Sequence, residues 1–376
     1  MHAAIRHHLT PRRRPQPSLA LILVILLAGF AGVAGTSWAQ AAATAAAPSD
    51  AEPPGWTLGE RTVPPPAASS EPLRKAIADA PLPNPAQRRA ITTLGAPQIQ
   101  MIEQMNGVVD LAQLQEMAGV SIEKDVIDGV PVYRVTPNRP AAEHQGHLFF
   151  HLHGGGYVLG GGDSAVTEAA VFAGSVGLPA ISVDYRMPPE HPFPAAVEDS
   201  VKVYRKVIAD HSASAVVIGG TSAGGGLTLA TVHRLQELGV DLPGAVWLGT
   251  PWADLTKTSD SLYSNEGLDR VLVTYDGMLA AMAKLYAGEE SLQHPLISPI
   301  YGDFGGFPPT QLVTGTRDMF LSDTARVHRA LRGAGAVADL HVYEGMSHAE
   351  YLMVPGSTES QQVLEEFGDF VVEHLP

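Results

Sequence analysis

The sequence predicts an α/β architecture in which a mostly parallel sheet is covered by helices on both faces. Three observations carry that reading. From about residue 147 to the C-terminus, short apolar runs alternate with longer helical patterns, the order produced when each parallel strand is followed by a crossover. One run, Ala215-Val216-Val217-Ile218, leads directly into Gly220-Thr221-Ser222-Ala223-Gly224 and a small-residue helix. Another ends at Leu152 and leads into His153-Gly154-Gly155-Gly156. Two glycine-rich turns therefore fall at the carboxyl ends of predicted strands, where open α/β sheets gather their sites.

The N-terminus comes first. Arg12-Arg13-Arg14 precedes an apolar run over 19–35, and Ser37-Trp38-Ala39 places small residues at the two positions a signal peptidase reads. The expectation for 1–39 is a signal peptide cleaved after Ala39, with export to the periplasm or medium. The alternative is an uncleaved anchor, because the apolar run is near the lower limit for spanning a bilayer. Residues 40–70 are rich in Ala and Pro and read as a disordered linker. Residues 71–376 read as one catalytic domain. Helices are expected at 72–79, 85–94 and 96–105, followed by a hairpin of strands 120–127 and 130–135 turning at Asp128-Gly129. Strands follow at 147–152, 180–184, 215–219, 245–248, 311–314 and 340–343, with helices such as 195–211 and 323–334. Two segments stand outside this alternation, 71–109 and 255–286, and are expected to form a cap.

The 376 residues carry a net charge of −15 and no cysteine. An acidic surface disfavours nucleic acid and anionic membrane as partners. The missing thiols exclude disulfides, thiolate metal sites and a cysteine nucleophile.

The turn chemistry then defines a set of roles. A G-x-S-x-G turn between strand and helix exposes its serine on a strained elbow, and small neighbours are needed because larger ones would collide with the sheet. A serine hydroxyl is a weak nucleophile, so it requires a base and a group that orients the base. His348, in Gly345-Met346-Ser347-His348 after the last predicted strand, is placed for the first role. Asp318 closes Gly315-Thr316-Arg317-Asp318 after the preceding strand and is placed for the second. Asp323 competes, but its position suits the first turn of the next helix. The glycines after His153 free backbone N–H groups to meet a developing oxyanion together with Ala223 N–H. His153 itself reads as a residue shaping that loop. No phosphate-binding G-x-x-x-x-G-K-[ST] accompanies these glycines. Arg186 and Glu190 are expected to form an ion pair bracing the Asp184 to Ala195 stretch. Trp247, Trp252, Tyr157 and Phe193 are either pocket lining or core, with core the default.

Taken together, His153-Gly-Gly-Gly-Tyr157, Asp184-Tyr185-Arg186-Met187-Pro188-Pro189-Glu190-His191-Pro192-Phe193-Pro194-Ala195, Gly220 to Gly225, Gly315 to Asp318 and Gly345 to His348 resemble the hormone-sensitive-lipase family of α/β-hydrolases, and more narrowly its bacterial esterase branch with a G-T-S-A-G elbow. Thr221 stands where the larger branch has aspartate. The resemblance implies an eight-stranded α/β-hydrolase fold with a helical cap, cleaving short-chain carboxylic esters without cofactor or metal. It implies a triad of Ser222, Asp318 and His348 and an oxyanion hole of the Gly155, Gly156 and Ala223 N–H groups. The expected partner is a small-molecule ester, with a homodimer left open and no stable membrane partner after signal cleavage. The alternatives are an amidase or lactonase using the same triad, or a non-catalytic ligand-binding receptor on this fold.

Overall fold

The computed structural model describes residues 59–376 apart from 61 and 107. The expected signal peptide and most of the expected linker lie outside the described residues. One sheet of eight strands organises the described chain. In sequence order they are β1 (Val120–Ile127), β2 (Val130–Pro137), β3 (Leu148–Leu152), β4 (Ala180–Val183), β5 (Val216–Thr221), β6 (Ala245–Gly249), β7 (Thr310–Gly315) and β8 (Ala338–Tyr343). Their spatial order is β1-β2-β4-β3-β5-β6-β7-β8. β2 runs antiparallel to β1 and β4, and the remaining neighbours are parallel.

The connections explain where a site forms. Asp128 and Gly129, with φ of 50° and 81°, turn β1 into β2 as a tight hairpin. From β3 the chain crosses through helix Thr167–Val176 to β4 on one side. From β4 it returns through helix Ala195–Asp210 to β5 on the other side of β3. Strand order therefore reverses at β3 and β5, which pair in parallel from Leu148↔Val216 to His151↔Gly219. The loops leaving these two strands diverge and leave a crevice at their carboxyl ends.

Side-chain alternation supplies the two cores that clamp the sheet. Phe149, Val217, Trp247 and Val313 face helices Thr167–Val176 and Thr358–His374. Their chain neighbours Phe150, Ile218, Leu248 and Leu312 join the core with helices Ala195–Asp210, Ala223–Glu237 and Leu321–Gly333. Central strands buried on both faces read as unbroken apolar runs, which is why they were visible in the sequence.

Several local expectations are corrected. The helix expected over 85–94 ends early, as Pro85–Arg89, ahead of the β-branched pair Thr92-Thr93 and Gly95. Helix Leu111–Ala118 was not anticipated, although its signals are present. Asp110 accepts from Ala112 N and Gln113 N at 2.9 and 3.2 Å, and Gly119 ends it at φ 68°. The end of the expected disordered linker is packed. Ser69 Oγ donates to Glu344 O at 2.6 Å, Ser70 N donates to Glu359 Oε1 at 2.7 Å, and Arg317 donates to Pro64 O at 2.5 Å. Two of these bonds run from linker serines to acceptors on the body and one runs from the body to a linker carbonyl, so the stretch is tied down from both directions. Helix Glu71–Asp79 buries Leu73 in the core that also takes Val363 and Phe367 of helix Thr358–His374. The segment 255–286 contains helix Ser261–Ser264, a kinked helical turn at Tyr275–Leu279 and all but the last residue of helix Ala280–Ala287, with residues 265–274 irregular.

Candidate active site

Ser222 sits between β5 and helix Ala223–Glu237 with φ 62° and ψ −122°, a conformation that L side chains rarely adopt. Backbone hydrogen bonds over-determine it. Ser222 N donates to Gly249 O at 2.8 Å, and its carbonyl accepts from Gly226 N at 3.0 Å and Trp252 N at 2.9 Å. The flanking glycines are sterically required. A Cβ on Gly220 would stand 1.9 Å from the Leu152 carbonyl oxygen, and one on Gly224 would stand 2.0 Å from the same atom. Both contacts are to the end of β3, so elbow and sheet are locked together through backbone alone.

His348 and Asp318 are buried, 1% and 0% exposed, on the loops after β8 and β7. Those loops interlock. Thr316 N donates to Tyr343 O at 3.0 Å, Arg317 N to Met346 O at 3.0 Å, and Gly345 N to Thr316 Oγ1 at 2.8 Å. The His348 Nδ1 to Asp318 Oδ1 distance is 3.1 Å. Asp318 Oδ1 also accepts from Phe320 N at 2.9 Å, and Oδ2 accepts from Thr314 Oγ1 at 2.8 Å. With its proton on Nδ1, His348 donates to the carboxylate and leaves Nε2 as a base. The Phe320 ring meets His348 edge-on at 5.0 Å and covers the pair.

The competing acid, Asp323, faces elsewhere. It lies in the first turn of helix Leu321–Gly333, and its carboxylate accepts from Ala253 N at 3.0 Å and Asp254 N at 2.9 Å and from the Ser259 hydroxyl. Burial pushes it up to about 7, against the lowering effect of Ser259. Its carboxylate thus serves the chain after β6 and is no partner of His348.

The glycine turn after β3 has the geometry needed to present N–H groups. Gly155 and Gly156 adopt φ of 109° and 64°. A Cβ on Gly155 would lie 2.1 Å from Leu159 O, and one on Gly156 would lie 2.5 Å from Met282 Sδ. The Ala223 N–H is the first of its helix and has no intrahelical acceptor. His153 braces this turn: Nδ1 is 2.8 Å from Gly154 O, the ring stacks on Tyr185 at 4.0 Å, and Tyr185 OH donates to His153 O at 2.7 Å. Burial pushes His153 down to about 3, so it stays neutral near pH 7 and is a poor base.

A cavity of about 130 Å³ brings the pieces together. Ser222, His348 and the Gly154 to Gly156 turn line it, with Ile102 from residues 71–109 and Leu272 and Met282 among those from residues 255–286. Trp252 lines it as well, whereas Trp247 is core against Phe172 and Phe367. Tyr157 packs on Tyr286, and Phe193 meets that same ring edge-on. Arg186 pairs with the buried Asp199 through two nitrogens, at 2.8 Å for Nε to Oδ2 and 2.8 Å for Nη2 to Oδ1, and not with the expected Glu190. Helix Ala195–Asp210 carries Asp199 beneath the turn, where a bidentate acceptor satisfies a planar guanidinium better than an exposed neighbour.

Sequence reasoning missed Glu168. It lines the cavity, accepts from Thr221 Oγ1 at 2.5 Å and stands 3.3 Å from His151 Nε2; Tyr351 OH lies 2.5 Å from the same Thr221 oxygen. The one available signal was a glutamate in the otherwise apolar start of helix Thr167–Val176.

A family model described as alpha/beta hydrolase fold matches residues 149–352. An acetyl-hydrolase of Streptomyces hygroscopicus is 33% identical over 234 residues, 62% of this chain and 77% of that protein. Among solved structures, esterase E25 superposes with a TM-score of 0.82 at 44% identity, covering 86% of this chain and 99% of its own. An esterase from the bacterial hormone-sensitive lipase family gives a TM-score of 0.69 at 29% identity, covering 82% of this chain and 100% of its own.

Proposed function

This chain belongs to the α/β-hydrolase family, among the bacterial esterases of the hormone-sensitive lipase family, and from that premise we propose that it cleaves short-chain carboxylic esters through Ser222, His348 and Asp318 by way of an acyl-enzyme. The observation that carries this reading is the buried His348 and Asp318 pair, 3.1 Å apart, at the same cavity as the positive-φ Ser222. In the proposed reaction His348 Nε2 takes the Ser222 proton as Oγ attacks the ester carbonyl. The N–H groups of Gly155, Gly156 and Ala223 stabilise the tetrahedral oxyanion. Asp318 stabilises the imidazolium without taking its proton, and His348 then protonates the departing alcohol. Water repeats the sequence on the acyl-enzyme and releases the acid.

Acyl length supplies the test. The cavity volume, about 130 Å³, is comparable with the roughly 150 Å³ that accommodates a benzene ring. Each methylene that fits contributes about 0.8 kcal/mol, or about fourfold in kcat/KM, until the space is filled. Across p-nitrophenyl esters from acetate to palmitate, kcat/KM is expected to peak between acetate and hexanoate and then fall. A monotonic rise through palmitate, or activation at a lipid interface, overturns the short-chain reading. Faster turnover of matched anilides or lactones moves the assignment to an amidase or lactonase.

Export through residues 1–39 is part of the same proposal. Protein recovered from the periplasm or medium is expected to begin at Gln40 on N-terminal sequencing, and a chain found only at full length in the cytoplasm refutes it.

A further inference from the structure

Asp269 lies between β6 and β7, outside every motif described above, and is fully buried. Its two oxygens serve different parts of the molecule. Oδ2 accepts from the N–H of Met319, the residue after Asp318, at 2.9 Å. Oδ1 accepts from Val271 N at 2.8 Å and Leu272 N at 3.1 Å, and both of those residues line the cavity. One side chain thus joins the acid loop to the cavity wall.

Its neighbours extend the attachment to both loops. The Asn265 side-chain amide donates to the carbonyls of Thr316 and Asp318 at 3.3 and 2.8 Å, and Ser261 Oγ donates to Met319 O at 2.7 Å. Arg270 N donates to Ser347 Oγ at 3.3 Å, and the Arg270 guanidinium binds Glu350, whose other oxygen accepts from Ser347 N at 2.6 Å. Residues 261–270 therefore grip the chain on both sides of Asp318 and immediately before His348.

Building on the triad reading above, we propose that Asp269 is a positioning residue for that triad: it ties the loop of Asp318 to the cavity wall through the N–H groups of Met319, Val271 and Leu272. Three N–H donors on its oxygens favour the ionised carboxylate. Burial and the adjacent Asp318 push it up to about 6, while His348 and the Met319 and Val271 N–H groups pull it down.

The test compares Asp269→Asn, Asn265→Ala, Ser222→Ala and wild type on p-nitrophenyl butyrate from pH 5 to 9, with thermal melts to establish folding. Asp269→Asn is expected to lower kcat by about tenfold with KM within about twofold. Asparagine offers one carbonyl oxygen where the three N–H donors use two carboxylate oxygens, so the loop loses a hold while the cavity wall stays. Asn265→Ala removes two hydrogen bonds to the same loop, so kcat should again fall with KM nearly unchanged. A folded Asp269→Asn protein with the wild-type kcat overturns the proposal, and so does a loss in kcat/KM carried entirely by KM. If the Asn variant does not fold, Asp269→Ser keeps an acceptor without the charge and decides by the same readout. An inactive Ser222→Ala beside an unaffected Asp269→Asn refutes only the role of Asp269. An active Ser222→Ala refutes the triad on which it rests.

Discussion

Ser222→Ala is expected to lower kcat by roughly 10⁴- to 10⁶-fold while leaving the protein folded. The two halves of that expectation have separate causes. The hydroxyl is the proposed attacking group, and no other side chain occupies the elbow between β5 and its helix. The fold is spared because the hydrogen bonds that hold the elbow are made by the Ser222 N–H and carbonyl, which alanine retains. Alanine at φ 62° bears the same backbone strain as serine, so the melting temperature should change by no more than a few degrees. Turnover above about a tenth of wild type sinks the nucleophile assignment.

Asp318→Asn is expected to lower kcat by roughly 10²- to 10³-fold, and its surroundings make the loss interpretable. The Phe320 N–H donates to Oδ1, the oxygen that meets His348, while Thr314 Oγ1 lies on Oδ2. An asparagine therefore keeps its carbonyl oxygen on the His348 side and turns its amide toward Thr314, whose hydroxyl can accept. The imidazole retains its tautomer and loses only the negative charge behind it. Asp323→Asn, altering the competing acid of the sequence reading, should leave kcat within a few-fold. A larger loss for Asp323→Asn than for Asp318→Asn reverses the assignment of the acid.

The parts of this site that were legible in sequence are the parts built by short-range constraint. Gly220, Ser222 and Gly224 announce the elbow because one strand-to-helix turn fixes all three. The turn after His153 and the strand ends before Asp318 and His348 are local in the same way, and continuous apolar runs reveal strands buried on both faces. Glu168, Asn265 and Asp269 were invisible because each acts on a residue far along the chain. Thr221 is 53 residues from Glu168, and Met319 is 50 residues from Asp269. No periodicity links such pairs; only the closed fold does. Arg186 illustrates the same limit at shorter range: the sequence offered an acid four residues away, whereas the helix delivers Asp199 to the guanidinium.

The ties from residues 261–270 to the loops of Asp318 and His348 bear on how freely this scaffold can be re-engineered. A segment that only roofed a pocket would be interchangeable, and a relative's version could be transplanted to change acyl preference. Here Ser261, Asn265, Asp269 and Arg270 hold the loops of Asp318 and His348 from within that segment. A graft spliced at 255 and 286 would import new walls and discard those anchors together. A transplant that keeps 261–270 and exchanges only the stretch around Met278 to Met282 separates selectivity from turnover at a natural seam.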